Sequence, residues 1–179
     1  MAELSLEQRL QPALLDRLSD DEPEKKVESR EQRAISISKL RNAILRDLSW
    51  LLNATHLAAT EDLSEYELVP TSVLNFGLPS LAGSSLAELG PAKVRDAIKE
   101  AILRYEPRLL PSSVQVTLTQ GSFNDDTHNT IALEIDAQLW CQPLPLQMYM
   151  KTELDLELGS ARVIEQSESD RVDVRRRRR

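Results

Sequence analysis

Apolar residues recur at helical spacing through the first 105 positions, interrupted by polar and Pro/Gly-rich stretches, and alternate one on, one off from residue 114 onward. Leu6, Leu10, Leu14 and Leu18 fall at every fourth position and make one apolar stripe, which Pro12 must restart or kink. Residues 20–31, DDEPEKKVESRE, are nearly all charged and contain Pro23, so they read as a solvated linker. From Ile37, the residues Leu40, Ile44, Leu48, Leu51 and Leu52 keep helical spacing, while Arg41, Arg46 and Asp47 fall largely on the other side. That is a helix of about four turns. Pro70, Gly77, Pro79 and Gly83 then divide the next stretch into short pieces, read as loops with one or two helical turns.

Gly90-Pro91 opens a second helix, because proline suits the first helical position, where its missing N–H would have had no partner. Its apolar face is Val94, Ala97, Ile98, Ala101, Ile102 and Tyr105. Pro107 ends it: the ring disfavours helical geometry at Glu106 and removes a donor at its own position. Beyond Pro111, Val114, Val116 and Leu118 alternate with polar residues, as do Ile131, Leu133, Ile135, Ala137 and Leu139. Segments 113–119 and 130–140 therefore pair as an antiparallel hairpin across the turn-rich GSFNDDTHN. A third strand runs from Met148 to Leu158, with Tyr149, Lys151, Glu153, Asp155 and Glu157 on its polar side, until Gly159 ends it. Helices first and strands afterwards indicate an α+β domain, its helices packed on one face of a small, mainly antiparallel sheet. The pattern divides the chain into an amphipathic segment at 1–19, a charged linker at 20–32, the α+β domain at 33–165 and a disordered basic tail at 166–179. A sheet of three strands leaves a long edge open, and Met148–Leu158 is the strand expected there.

Charge changes the picture at one end only. The whole chain carries −7, but the last five residues are all arginine, so the part before them carries −12 and should repel nucleic acid. No aromatic or groove-reading motif accompanies the arginines, and short terminal charge runs are usually solvated. The single cysteine, Cys141, suits a reducing compartment, and neither a signal peptide nor a membrane span is legible. A cytoplasmic protein without direct membrane insertion is the expectation.

Little of the sequence points to chemistry. Glu106, beside Tyr105, Leu109 and Leu110, is the best candidate for a general acid, with Glu134, Asp136 or Glu153 as a second carboxylate for glycoside hydrolysis. Acidic residues alternating along a strand are, however, normally its wet face. His56 and His128 lack partners at metal-ligand spacing, and FGLPSLAG lacks the lysine of a phosphate loop. No metal, cofactor, nucleotide or small-molecule substrate is therefore expected.

The stretches LLDRL with DDEP, LRNAILRDLSWLLN, SVLNFGLPSLAG, the helix ending in RYEPRL, and LDLELG occur in that order over about residues 14 to 159. Together they resemble the TssE family of type VI secretion baseplate subunits, part of the phage baseplate-wedge group often labelled lysozyme-like. The family's Glu-Pro-Arg signature falls on Glu106, Pro107 and Arg108. The resemblance implies a structural, non-enzymatic wedge subunit beside TssF, TssG and TssK, in a cytoplasmic baseplate docked at the inner membrane. It also implies a platform where the TssB–TssC sheath, whose subunits exchange strands, begins to assemble. Residue chemistry offers two docking features. Pro107 stiffens a corner on which Glu106 and Arg108 would form a peg of both signs, unless they pair with each other or with the domain's own loops. The third strand, with Tyr149, Lys151 and Glu153, would accept a partner's strand at the open edge. The alternative is a peptidoglycan hydrolase with Glu106 as its acid.

Overall fold

The computed structural model describes residues 13–18, 24, 37–80, 90–119, 130–141, 144–155 and 158–166. The linker apart from Glu24, the arginine run, His128 and the first half of the N-terminal stripe lie outside these residues. Three helices are described: α1 (Leu14–Leu18), α2 (Ile37–Asn53) and α3 (Pro91–Tyr105). Four strands follow: β1 (Gln115–Leu118), β2 (Thr130–Leu139), β3 (Leu146–Asp155) and β4 (Ser160–Glu165). They form one sheet in sequential order, with every neighbouring pair antiparallel. The fold is α+β, as the switch of hydrophobic period indicates.

One face of the sheet carries Val116, Ile131, Leu133, Ile135, Ala137, Leu139, Met148, Met150, Leu154 and Ala161, all buried. On to it α2 brings Leu40, Ile44, Leu48, Leu51 and Leu52, and α3 brings Val94, Ile98, Ala101 and Ile102. Each fully buried Leu, Ile or Met side chain favours the folded state by about 1.5–3 kcal/mol, so this single layer of contacts supplies the main driving force. The helices divide the sheet between them, α2 packing against β4 and α3 against β1. The opposite face is polar. Glu134 stands opposite Lys151, and Glu153 opposite Arg162, which gives alternating charge across three strands.

Two local features hold the helix-rich half in place. Leu78 N–H donates to Ala54 O at 2.8 Å and His56 N–H to Leu78 O at 2.9 Å, so the chain returning at 77–78 clips against the end of α2. Gly77 permits this approach: it has φ +124°, and a Cβ there would lie 2.4 Å from Ala54 O. The 3₁₀ turns between are pinned from α3, where Tyr105 Oη donates to Asn75 O at 2.6 Å and Arg104 Nη1 donates to Pro70 O at 3.0 Å.

The third strand is not at an edge, which corrects the expectation for Tyr149, Lys151 and Glu153. β3 pairs with β2 along one side and with β4 along the other. It stops at Asp155, whose Oδ1 accepts from Leu158 N at 3.0 Å, and the chain turns at Gly159 (φ +63°) into β4. The fourth strand went unread because Ala161 and Val163 are only two inward residues, too short an alternation to register beside the turn.

Among the described strands, the edges of the sheet are therefore β1 and β4. Thr119 N–H donates to Ala132 O, which places the N–H and C=O of Thr117 toward β2 and those of Val116 and Leu118 outward. On β4, Gln166 N–H donates to Tyr149 O, so Ala161, Val163 and Glu165 turn their backbone outward. Asn53, the last residue of α2, closes part of this second edge: its Oδ1 accepts from Ala161 N at 2.9 Å and its Nδ2 donates to Ala161 O at 2.8 Å.

Candidate protein-interaction site

The Glu106-Pro107-Arg108 corner is formed because α3 cannot continue. Glu106 N–H still donates to Ile102 O at 2.9 Å, Glu106 itself leaves helical geometry at φ −118° and ψ 76°, and Pro107 has no N–H to offer. From there the chain is stitched to β2. Trp140 N–H donates to Arg108 O at 2.7 Å, Leu110 N–H donates to Gln138 O at 2.8 Å, and Leu109 is buried. The corner is thus held between the end of a helix and the end of a strand, with Pro107 exposed at its tip.

Its two charges face each other. Arg108 Nε donates to Glu106 Oε1 at 2.6 Å and Nη2 to Glu106 Oε2 at 2.5 Å, while Arg108 N–H approaches Oε1 at 3.2 Å. The Glu106 side chain is only 3% exposed and that of Arg108 21%, so the corner shows solvent part of Arg108 rather than a pair of opposite charges. Of the two arrangements open at the sequence level, the pair has closed on itself and on the domain.

The pair also extends into a ladder. Arg108 Nη2 donates to Asp47 Oδ2 on α2 at 2.6 Å, Arg46 Nε donates to Asp47 Oδ1 at 2.8 Å, and Arg46 Nη1 donates to Asp16 Oδ1 on α1 at 2.6 Å. Five alternating charges, Glu106, Arg108, Asp47, Arg46 and Asp16, therefore connect the corner to the first helix. Burial alone would lower the pKa of Arg108, but the hydrogen bonds and charge of Glu106 and Asp47 outweigh it and raise the value above the usual arginine range. The same balance, led by Asp16, raises Arg46, whose guanidinium also lies 5.0 Å from the Trp50 ring centre. Asp16, Arg46 and Asp47 were not singled out from sequence as site residues. All three sit in the stretches LLDRL and LRNAILRDLSWLLN, and opposite-charge neighbours at 46 and 47 were the available signal.

Tyr149, Lys151 and Glu153 do share one face of β3, as alternation requires, and Lys151 Nζ donates to Glu153 Oε1 at 2.6 Å. They lie in the middle of the sheet's polar face, and no described contact joins them to the Glu106 corner. Among the described residues no group of three or more His, Cys, Asp or Glu is placed to hold a metal ion. Cys141 is buried, its Sγ donates to Leu144 O at 2.7 Å, and burial raises its thiol pKa. No helix among the described residues is long and apolar enough to cross a membrane.

Residues 38–144, from the start of α2 to just before β3, match the model of the family described as baseplate wedge protein gp25. The chain belongs to that family. No curated protein and no solved structure matches the chain. The matched span contains four of the seven described helices and strands, both stitches of the corner, and Arg46, Asp47, Glu106 and Arg108 of the ladder. Membership gives the protein a structural role in a baseplate, in contact with other baseplate proteins. The geometry offers the hydrolase reading nothing: a general acid needs a carboxyl group open to substrate, and both oxygens of Glu106 are occupied by Arg108 in a nearly closed site.

Proposed function

We propose that this baseplate protein is the wedge subunit of a type VI secretion machine and the template on which the first ring of its contractile sheath polymerises. In this reading it works in the cytoplasm, within a baseplate docked at the inner membrane, beside TssF, TssG and TssK, and receives TssB–TssC. It makes and breaks no covalent bond. The observation that carries the reading is a sheet edge that no described residue fills, on a rigid support. Val116 and Leu118 direct their backbone N–H and C=O away from β2, and α3 backs the same strand from below. An arm from a sheath subunit would add to this edge by backbone hydrogen bonding. β4 is the lesser edge, because Asn53 already occupies both groups of Ala161.

The Glu106-Pro107-Arg108 corner is the second contact. Glu106 fixes the plane of the guanidinium, Pro107 stands exposed beside it, and the Arg108 side chain remains partly open to solvent. A carboxylate or carbonyl from a wedge partner would meet this already oriented cation at little ordering cost. Tyr149, Lys151 and Glu153 serve as a lateral contact on the polar face of the sheet rather than as a strand acceptor.

Proline at an outward-facing edge position removes only the N–H that an added strand would use. Leu118→Pro should leave the purified protein folded by circular dichroism and still co-purifying with TssF and TssG, yet abolish sheath foci in cells carrying a fluorescent TssB. Val163→Pro on the opposite edge should preserve them. Normal sheaths in Leu118→Pro, or their loss in Val163→Pro alone, would overturn β1 as the template. Failure of the wild-type protein to co-purify with TssF, TssG or TssK would remove the wedge assignment itself.

A further inference from the structure

Between α2 and α3 the chain makes a surface that the wedge reading does not use. Leu68 is 81% exposed, Val73 79% and Leu74 67%, with Tyr66 also well exposed, all within nine consecutive residues. So many large apolar groups on one short segment are costly to leave in water unless another molecule covers them. The segment is well anchored from beneath. Asn75 is buried and ties three points together: its Oδ1 accepts from Ala58 N at 2.9 Å, its Nδ2 donates to Pro70 O at 3.1 Å, and its own carbonyl accepts from Tyr105 Oη. Phe76 packs edge-on against the Tyr105 ring with centroids 5.3 Å apart. The apolar side chains are therefore presented in a fixed arrangement, which lowers the ordering cost of covering them.

The charge beside them is one-sided. Glu61, Asp62, Glu65 and Glu67 are all exposed, and no ion pair is made by any of them among the described residues. From residue 47 to residue 92 the sequence has no lysine or arginine at all. Arg104, the cation reaching toward this segment from α3, is already engaged, with Nη1 on Pro70 O and Nη2 on Glu100. An acidic partner would be repelled, and a neutral apolar one would gain nothing from the four carboxylates.

We propose that the Tyr66–Leu68–Val73–Leu74 surface, with its carboxylates at 61, 62, 65 and 67, docks a basic amphipathic helix of another protein. The helix lays an apolar stripe over the leucines and valine and sets lysine or arginine side chains along the acidic margin. The proposal concerns a surface distinct from the β1 edge and the Glu106 corner, and stands or falls separately from them.

The probe is a synthetic leucine/lysine amphipathic peptide of about 14 residues, long enough for four helical turns. It is titrated into the full-length protein and followed by amide chemical shifts and calorimetry. Shifts concentrated in residues 57–76 are expected, with affinity falling as salt rises. The double variant Leu68→Ser/Leu74→Ser should weaken binding at least about tenfold, as loss of central apolar anchors does. Glu65→Lys/Glu67→Lys should weaken it similarly, whereas Asp96→Lys on exposed α3 should change it less than about twofold. Both sites lie on the surface, so unchanged melting curves will show that the variants fold. Equal binding to every variant, or shifts spread over all acidic faces, would overturn the proposal. Tighter peptide binding after removal of residues 171–179 would also overturn it, by giving the surface to the chain's own arginine run.

Discussion

Arg108 Nη2 lies 2.6 Å from Asp47 Oδ2 and 2.5 Å from Glu106 Oε2, so one nitrogen joins the corner after α3 to the middle of α2. The two carboxylates are not equivalent. Glu106 is 3% exposed and Asp47 is 25% exposed, so only Glu106 depends wholly on the guanidinium for solvation. Arg108→Met should therefore destabilise the fold by about 3–5 kcal/mol, through a buried carboxylate left without its cation. Asp47→Asn should cost about 1 kcal/mol, since water can replace much of what is lost. Adding Glu106→Gln to Arg108→Met should recover more than about 1 kcal/mol, because the unpaired charge disappears. Urea denaturation of these proteins, together with Glu106→Gln alone, checks this. Strict additivity would mean that the pair is not coupled, and the corner would then need another explanation for its rigidity.

Gly77 and Gly90 both have positive φ, yet substitution should affect them very differently. A Cβ at Gly77 would meet Ala54 O at 2.4 Å and His56 N at 2.9 Å, the atoms that clip residue 78 to the end of α2. A Cβ at Gly90 would meet nothing within 4 Å. Gly77→Ala should cost about 2–4 kcal/mol, combining backbone strain with displacement of main chain. Gly90→Ala should cost only the left-handed conformation, about 1–2 kcal/mol. Thermal melts of both variants should rank in that order, and a reversed order would contradict the clip.

The larger elements were legible because hydrophobic period is a strong signal when it lasts. Five apolar residues at helical spacing announce α2, and Gly90-Pro91 and Pro107 bracket α3 at the positions where it starts and stops. β2 was readable from five inward residues in strict alternation, all of them buried. β4 offers two, and losing it misplaced β3, because a strand becomes central only through its neighbour. The site follows the same logic. Glu106, Pro107 and Arg108 are consecutive and announce themselves, whereas Asp47 reaches Arg108 across 61 positions and Asp16 reaches Arg46 across 30, both only through tertiary packing. No local pattern in a sequence encodes which face of α2 will meet the end of α3.

Glu153 gives the fold a small acid-sensitive contribution. The hydrogen bond from Lys151, followed by its charge, lowers the Glu153 pKa below the ordinary carboxylate value, with a further contribution from Arg162 across the strand pair. A carboxylate depressed on folding adds stability that is present above its unfolded pKa and is lost as pH falls through the folded one. Glu153→Gln should therefore be less stable than wild type at neutral pH, by less than about 1 kcal/mol because both partners are well exposed. Below the depressed folded pKa the two should become equal. Urea midpoints measured stepwise from neutral pH into the acid range test this, and a difference that stays constant throughout would rule out the Lys151 pair as its source.

Thr152 sits at the centre of β3 with no exposed area, between Leu133 on β2 and Val163 on β4, and its Oγ1 has no hydrogen-bond partner among the described residues. A hydroxyl in that position loses its water on folding and regains nothing, so it opposes the burial of the methyl group beside it. Valine has the same branched shape and the same preference for strands, and substitutes a methyl group for the unsatisfied oxygen. Thr152→Val should therefore stabilise the protein by about 1–2 kcal/mol, in contrast to most core substitutions, and raise the melting temperature by about 2–6 °C. Thr152→Ser keeps the hydroxyl and removes the methyl group, and should be destabilising. If Thr152→Val instead melts lower than wild type, the hydroxyl has an acceptor in solution, and the helix-facing layer over β3 is packed differently from the arrangement described.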